Sequence, residues 1–209
     1  YFVDVYQHTW FDTIYHEHLD YHTVAPFEKL FDRVNMEVID VKRISPQGGS
    51  IRIIAQKRGG KYKRSSSVGK LIALEHKLGL NKAKSLEKFE KKINLVKENL
   101  QKLIFKLKDD GKTIAGFGAP TKATTLMSHF GLNEKILDFI VDDNPLKQGL
   151  YTPITHIPVL PTETLYKRKP DYVLILAWNF AKPIMEKEKR YSKEIGKFIV
   201  PMPVPKIVE

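Results

Sequence analysis

Thr113-Ile114-Ala115-Gly116-Phe117-Gly118-Ala119-Pro120-Thr121-Lys122 is the stretch that decides the fold. Its first half is an apolar run too short for a helix and suited to a strand buried on both faces. Two glycines then let the backbone turn tightly and approach a ligand closely. Thr121 opens a segment of helical character over 121–129, whose first N–H groups favour an anion. Further strands are predicted over 136–141, 157–160, 172–176 and 198–200, with helical segments over 162–167 and 183–195. The order β-α-β followed by β-α-β-α-β calls for a parallel sheet with right-handed crossovers, so the fold class is α/β.

Upstream of the loop, Leu86, Phe89, Ile93, Val96, Leu100, Leu103 and Leu107 step by three and four, which predicts a long amphipathic helix over 82–107. Asp109-Asp110-Gly111 stops it. The stretch 58–67 is basic, rich in Gly and Ser and without hydrophobic period, so 58–81 is expected to be a loop or linker. Before it, Val24, Phe27, Leu30, Phe31 and Val34 predict a helix over 23–34 with Thr23 as N-cap. Alternation predicts strands over 36–44 and 50–55, joined by the turn Pro46-Gln47-Gly48-Gly49. Three parts follow: 1–57, the linker 58–81, and 82–209 with the long helix and the parallel sheet.

Lys and Arg total 35 against 24 Asp and Glu, a formal charge of +11, which favours polyanionic partners or phosphorylated metabolites. The excess concentrates over 57–112 within a helical pattern, so a solvated outer face accounts for it. Neither a nucleic-acid nor a membrane partner is expected. The absence of cysteine excludes disulfides, thiolate chemistry and cysteine-ligated zinc within the chain, and it fits a reducing compartment, with the cytoplasm as default. No window approaches the roughly 20 apolar residues of a membrane span. A first residue of Tyr with no signal peptide leads to the expectation of a longer parent protein. The sequence leaves the oligomeric state open.

Two constellations could carry chemistry. At the glycine loop, Gly118, Thr121 and Lys122 suit a phosphate, and Asp142 and Asp143 stand where a ribose-binding acid sits in NAD enzymes. The dinucleotide fingerprint is incomplete, because Lys122 follows Pro120-Thr121 where a third glycine or alanine is expected near position 121. An NAD(P)-dependent oxidoreductase and a non-catalytic nucleotide-binding module both stay open, as does a mere tight turn. The second constellation is Tyr15-His16-Glu17-His18, with His8 and His22 nearby. Phenol, carboxylate and imidazole so close together can supply a proton relay, an orienting acid and a base, which suits proton abstraction beside a carbonyl. A metal site is the rival, although the spacing is not that of helical H-E-x-x-H. Polar residues at an element end are the simplest account.

Six segments in order resemble one family. They are Phe11-Asp12-Thr13-Ile14-Tyr15-His16-Glu17-His18, Gln47-Gly48-Gly49-Ser50-Ile51-Arg52, the glycine loop, Val141-Asp142-Asp143-Asn144-Pro145-Leu146-Lys147-Gln148-Gly149, Thr155-His156-Ile157-Pro158-Val159-Leu160-Pro161 and Ile175-Leu176-Ala177-Trp178-Asn179. The family is the S-adenosylmethionine-dependent C-methyltransferases of nucleotide-linked deoxysugars. The resemblance implies a C-terminal Rossmann-like domain. It also implies that 1–57 is the end of the methyltransferase domain, closing on an antiparallel strand pair. S-adenosylmethionine is then bound mainly upstream of Tyr1, zinc belongs only to a missing N-terminal domain, and this chain alone should not methylate. The implied substrate is a nucleotide-linked 4-keto sugar, deprotonated and methylated at C-3. Carried over by motif, His18 is the base, Tyr15 a donor to the enolate oxygen and Glu17 the group orienting His18. His16 is expected on the opposite side of an extended segment. Gly118, Thr121 and Lys122 lie near the diphosphate, and Arg52 near the junction between domains.

Overall fold

The structure, a computed structural model, describes residues 1–46 and 49–208, so Gln47 and Gly48 of the expected turn lie outside the described residues. The chain divides into two compact units, 1–10 with 17–92 and 11–16 with 93–209. The six residues 11–16 therefore pack with the later part of the chain while their neighbours on both sides pack with the earlier part.

The first unit holds helices α1 (Phe2–His8), α2 (Val24–Asp32) and α3 (Ser66–Leu78) and the antiparallel strands β1 (Met36–Ile44) and β2 (Ser50–Lys57). Val24 of α2, Val38 and Val41 of β1 and Val68 of α3 bury together, with Phe31, Ile53 and Ile72 packed against them. Thr23 is the N-cap of α2 but makes no side-chain cap bond. The buried carboxylate of Glu75, on α3, does that work across the core. Its Oε1 accepts from Val24 N at 2.7 Å and from the Tyr1 hydroxyl at 2.9 Å, and its Oε2 accepts from Ala25 N at 3.2 Å.

Helix α3 departs from the expected linker over 58–81. Ser65 caps it by accepting from Ser67 N. The Ser67 hydroxyl is tied to β1, accepting from Val41 N at 3.2 Å and donating to Asp40 Oδ1 at 2.6 Å. Tertiary bonds of this kind override the weak helix preference of a serine-rich start.

The long helix α4 (Ala83–Asp109) crosses the division, with Lys92 and Ile93 in different units. Gly111, at φ +72°, ends it, and Lys112 N donates back to Leu107 O at 2.9 Å. In the second unit the described residues form a six-stranded sheet in the order β5-β4-β3-β6-β7-β8. The strands are β3 (Ile114–Phe117), β4 (Ile140–Val141), β5 (Val159–Leu160), β6 (Tyr172–Ile175), β7 (Lys197–Val200) and β8 (Lys206–Val208). All adjacent pairs are parallel except β7 with β8. Helices α5 (Thr121–Phe130), α6 (Thr164–Arg168), α7 (Ala181–Lys187) and α8 (Lys189–Glu194) complete the α/β class. β4 is shorter than the strand expected over 136–141, because 136 and 137 belong to a turn bonded to Asn133 O. β8 is an addition to the expected elements.

The connection after β3 runs to β4 on one side, while β6 lies on the other. The loop after β3 therefore sits where strand order reverses, the place where open α/β sheets bind ligands.

Candidate functional site

Gly116 allows β3 to lie close between its neighbours, since a Cβ there would stand 2.8 Å from Ile140 Cγ1 and 3.1 Å from Leu176 Cδ1. Gly118 is required twice over. Its φ is +86°, and a Cβ would fall 2.7 Å from Ala177 Cβ. The loop then enters α5 through Pro120, an N-cap residue with no side-chain acceptor to offer; Ala123 N donates to Pro120 O at 2.9 Å, and no side chain caps the amides of Thr121 and Lys122, which suit an anion.

Asp142 braces this loop. Its Oδ2 accepts from Ala119 N at 2.7 Å, and its Oδ1 accepts from Asn144 N at 2.8 Å. Lys147 Nζ donates to Ala119 O at 2.9 Å and lies 3.4 Å from Asp142 Oδ2. Asp143 is bonded to Thr162 Oγ1 at 2.8 Å and Lys187 Nζ at 2.7 Å. Burial pushes the pKa of Asp143 up, and the bonds from Lys187 and Thr162 more than offset this, leaving it below the ordinary value. The two acids expected at a ribose are thus committed to protein partners.

A second group meets at the start of α5. Asp12, in a 3-10 turn at Phe11–Thr13, is fully buried, and its Oδ2 accepts from Trp178 Nε1 at 2.6 Å. Its Oδ1 has no hydrogen-bond partner among the described residues. Lys122 Nζ donates to Asn179 Oδ1 at 2.7 Å and stands 5.0 Å from the centre of the Trp178 ring. Burial raises the pKa of Asp12, opposed by the charge of Lys122 and the Trp178 bond. Burial lowers that of Lys122, opposed by the charge of Asp12. Phe11 holds the turn in place with ring contacts to His129 at 5.2 Å and Phe130 at 5.1 Å, and Thr125 Oγ1 donates to Ile14 O at 3.2 Å.

Gly118, Thr121 and Lys122 are therefore brought together on one loop and helix start. Tyr15 lies in the same unit, half-buried, with its ring edge-on to His16 at 5.8 Å. Glu17 and His18 fall in the first unit, Glu17 exposed and His18 half-buried. Residues 15–17 form a bend and turn rather than the extended segment expected to send His16 to the opposite side. Arg52 is exposed on β2 opposite Lys42, also in the first unit. Among the described residues no three His, Cys, Asp or Glu side chains converge as a metal site. Asp12, Trp178 and Asn179 were motif positions without a role in the sequence. No local pattern shows that Asp12 and Trp178, 166 residues apart, are partners.

The family profile described as C-methyltransferase C-terminal domain matches residues 45–203. The chain belongs to this C-methyltransferase family. A curated relative, the C-methyltransferase NovU of Streptomyces niveus, is 34% identical over 208 residues, which cover all of this chain and 50% of NovU. The chain thus spans about half the length of that relative. In this C-methyltransferase chain the profile takes in the glycine loop, Asp142, Lys147 and Trp178, while Tyr15, Glu17 and His18 lie before its first matched residue. Among the described residues no helix is long and apolar enough to cross a membrane.

Proposed function

We propose that this chain is the substrate-handling part of an enzyme that transfers the methyl group of S-adenosylmethionine to C-3 of a nucleotide-linked 4-keto deoxysugar. The observation that carries the reading is the match of the C-methyltransferase domain profile over 45–203. The glycine loop supports it, because two glycines, an uncapped helix start and Lys122 are suited to a diphosphate. The engagement of Asp142 by Ala119 N and Asn144 N weighs against a dinucleotide held through that acid.

In this reading the 4-keto group acidifies the neighbouring C-3 hydrogen. His18 takes that proton, leaving the electron pair in an enolate whose oxygen, at C-4, receives a hydrogen bond from Tyr15. Glu17 holds the imidazole in orientation. S-adenosylmethionine, bound mainly by a region preceding Tyr1, supplies the electrophilic methyl, and the enolate carbon forms its bond as the carbon–sulfur bond breaks. Gly118, Thr121 and Lys122 hold the diphosphate, and Arg52 is a further substrate contact. In this reading zinc belongs to a separate N-terminal domain, the enzyme works in the cytoplasm, and this chain alone is inactive.

The test is to join the chain to the upstream part of its protein and supply isotopically labelled S-adenosylmethionine with a 4-keto sugar nucleotide. Label on C-3 of the product is expected. Label on an oxygen or nitrogen, or none with a folded protein, overturns the reading.

A further inference from the structure

Trp178 Nε1 requires only an acceptor, and the carbonyl of an asparagine would serve it as well as the carboxylate of Asp12. The negative charge is an added cost. Asp12 is fully buried, and its Oδ1 has no hydrogen-bond partner among the described residues. A charge held at such expense points to a use for the charge itself.

That use lies one step along a chain of contacts. Trp178 and Asn179 are consecutive residues of the 3-10 turn Trp178–Phe180, which follows β6. The backbone of this turn closes on itself, with Phe180 N donating to Ala177 O at 2.8 Å, and Asn179 and Phe180 are exposed. Side chains tie it to its neighbours. Trp178 Nε1 donates to Asp12 Oδ2 at 2.6 Å, and Asn179 Oδ1 accepts from Lys122 Nζ at 2.7 Å. The same ammonium stands 5.0 Å from the centre of the Trp178 ring. Lys122 is thus seated by two adjacent residues of a turn that Asp12 holds. Asp12 is itself held firmly, because α5 grips its segment before and after it, through the Phe11 ring against Phe130 and the bond from Thr125 Oγ1 to Ile14 O.

A carboxylate that accepts from an indole N–H polarises the ring, and the ring face becomes a better seat for a cation. The charge has a second effect. Burial pushes the pKa of Lys122 down, toward the neutral amine, and the charge of Asp12 opposes this. Only the ammonium makes the strong charge-assisted bonds that hold a phosphate.

We infer that Asp12 is a positioning residue for substrate binding, acting through Trp178 to seat Lys122 and so to set its grip on a diphosphate. The inference rests on the reading that a diphosphate lies at the start of α5. A buried negative charge also repels an anion directly, and the two effects differ in sign. With repulsion alone, removal of the charge tightens anion binding, whereas loss of the lysine seat weakens it.

The experiment titrates the chain, joined to its upstream part, with inorganic pyrophosphate in a double-mutant cycle of Asp12→Asn and Lys122→Met. Wild type is expected to bind pyrophosphate, and Lys122→Met to bind it about 10-fold or more weakly. Asp12→Asn should weaken binding by roughly 3- to 30-fold while folding at least as stably as wild type. In the Lys122→Met background the same substitution should change nothing. Trp178→Phe, which keeps a ring and drops the N–H, should follow Asp12→Asn in both backgrounds. Unchanged or tighter binding in Asp12→Asn or Trp178→Phe, or equal weakening with and without Lys122, overturns the inference and leaves the diphosphate reading standing. An Asp12→Asn protein that does not fold makes Asp12 architectural and overturns it too. If pyrophosphate binds folded wild type and Lys122→Met alike, or binds neither, the diphosphate reading and the inference fall together.

Discussion

Glu75 in the first unit and Asp12 in the second, both buried carboxylates, are treated in opposite ways. Glu75 is saturated, with two amides at the start of α2 and the Tyr1 hydroxyl donating to its two oxygens. Asp12 is as deeply buried, yet only one oxygen is bonded, and its nearby cation is a lysine already turned to Asn179. A saturated buried carboxylate offsets its own desolvation by ordering a helix end, whereas a half-satisfied one costs free energy. Glu75 belongs to the architecture of its unit. Under the proposed function, Asp12 is a group kept at the substrate site at the expense of stability.

The comparison can be broken by substitution. Glu75→Ala removes the acceptor of three donors, and a loss of about 3 kcal/mol is expected in urea unfolding. An unchanged midpoint would mean that Glu75 is dispensable and the contrast is empty.

Asp12→Asn should have the opposite sign, a gain of about 1 kcal/mol near neutral pH. The native pKa of Asp12 is raised above its ordinary 3.8. Between the unfolded and native values the native state therefore holds a proton that the unfolded state has lost, and wild-type stability falls as pH rises through that window. Asparagine removes this deficit. The gain should be full above the native pKa and fade as pH drops to 3.8 and below. It is partly offset because Lys122 loses the charge that supports its protonation. A destabilised Asp12→Asn at neutral pH would place Asp12 with Glu75 as an architectural group.

The same contrast separates what the sequence could and could not disclose. The strand, glycine loop and helix beginning at Ile114 were legible, because an apolar run and two glycines are local signals with local causes. The strand over 36–44 and the stop of α4 at Gly111 were legible for the same reason. Helix α3 was not. Its buried face is short, and Ser67 and Glu75 act through partners 26 to 74 residues away. The turn that takes in 136 and 137 was hidden because a short apolar run suits a strand or a buried turn equally. At the site, Lys122 announced itself as a cation after a glycine loop. Asp12 and Asn179 did not, since their significance lies in meeting Lys122 and Trp178 across the fold.

The account turns on proton abstraction at C-3 by His18. The direct measurement is exchange of the C-3 proton of a 4-keto sugar nucleotide in deuterated water, with the chain joined to its upstream part and no methyl donor added. Wild type should exchange that proton, and His18→Ala, folded and still binding the sugar nucleotide, should lose exchange by about 100-fold or more. Exchange at the wild-type rate in His18→Ala would contradict the account.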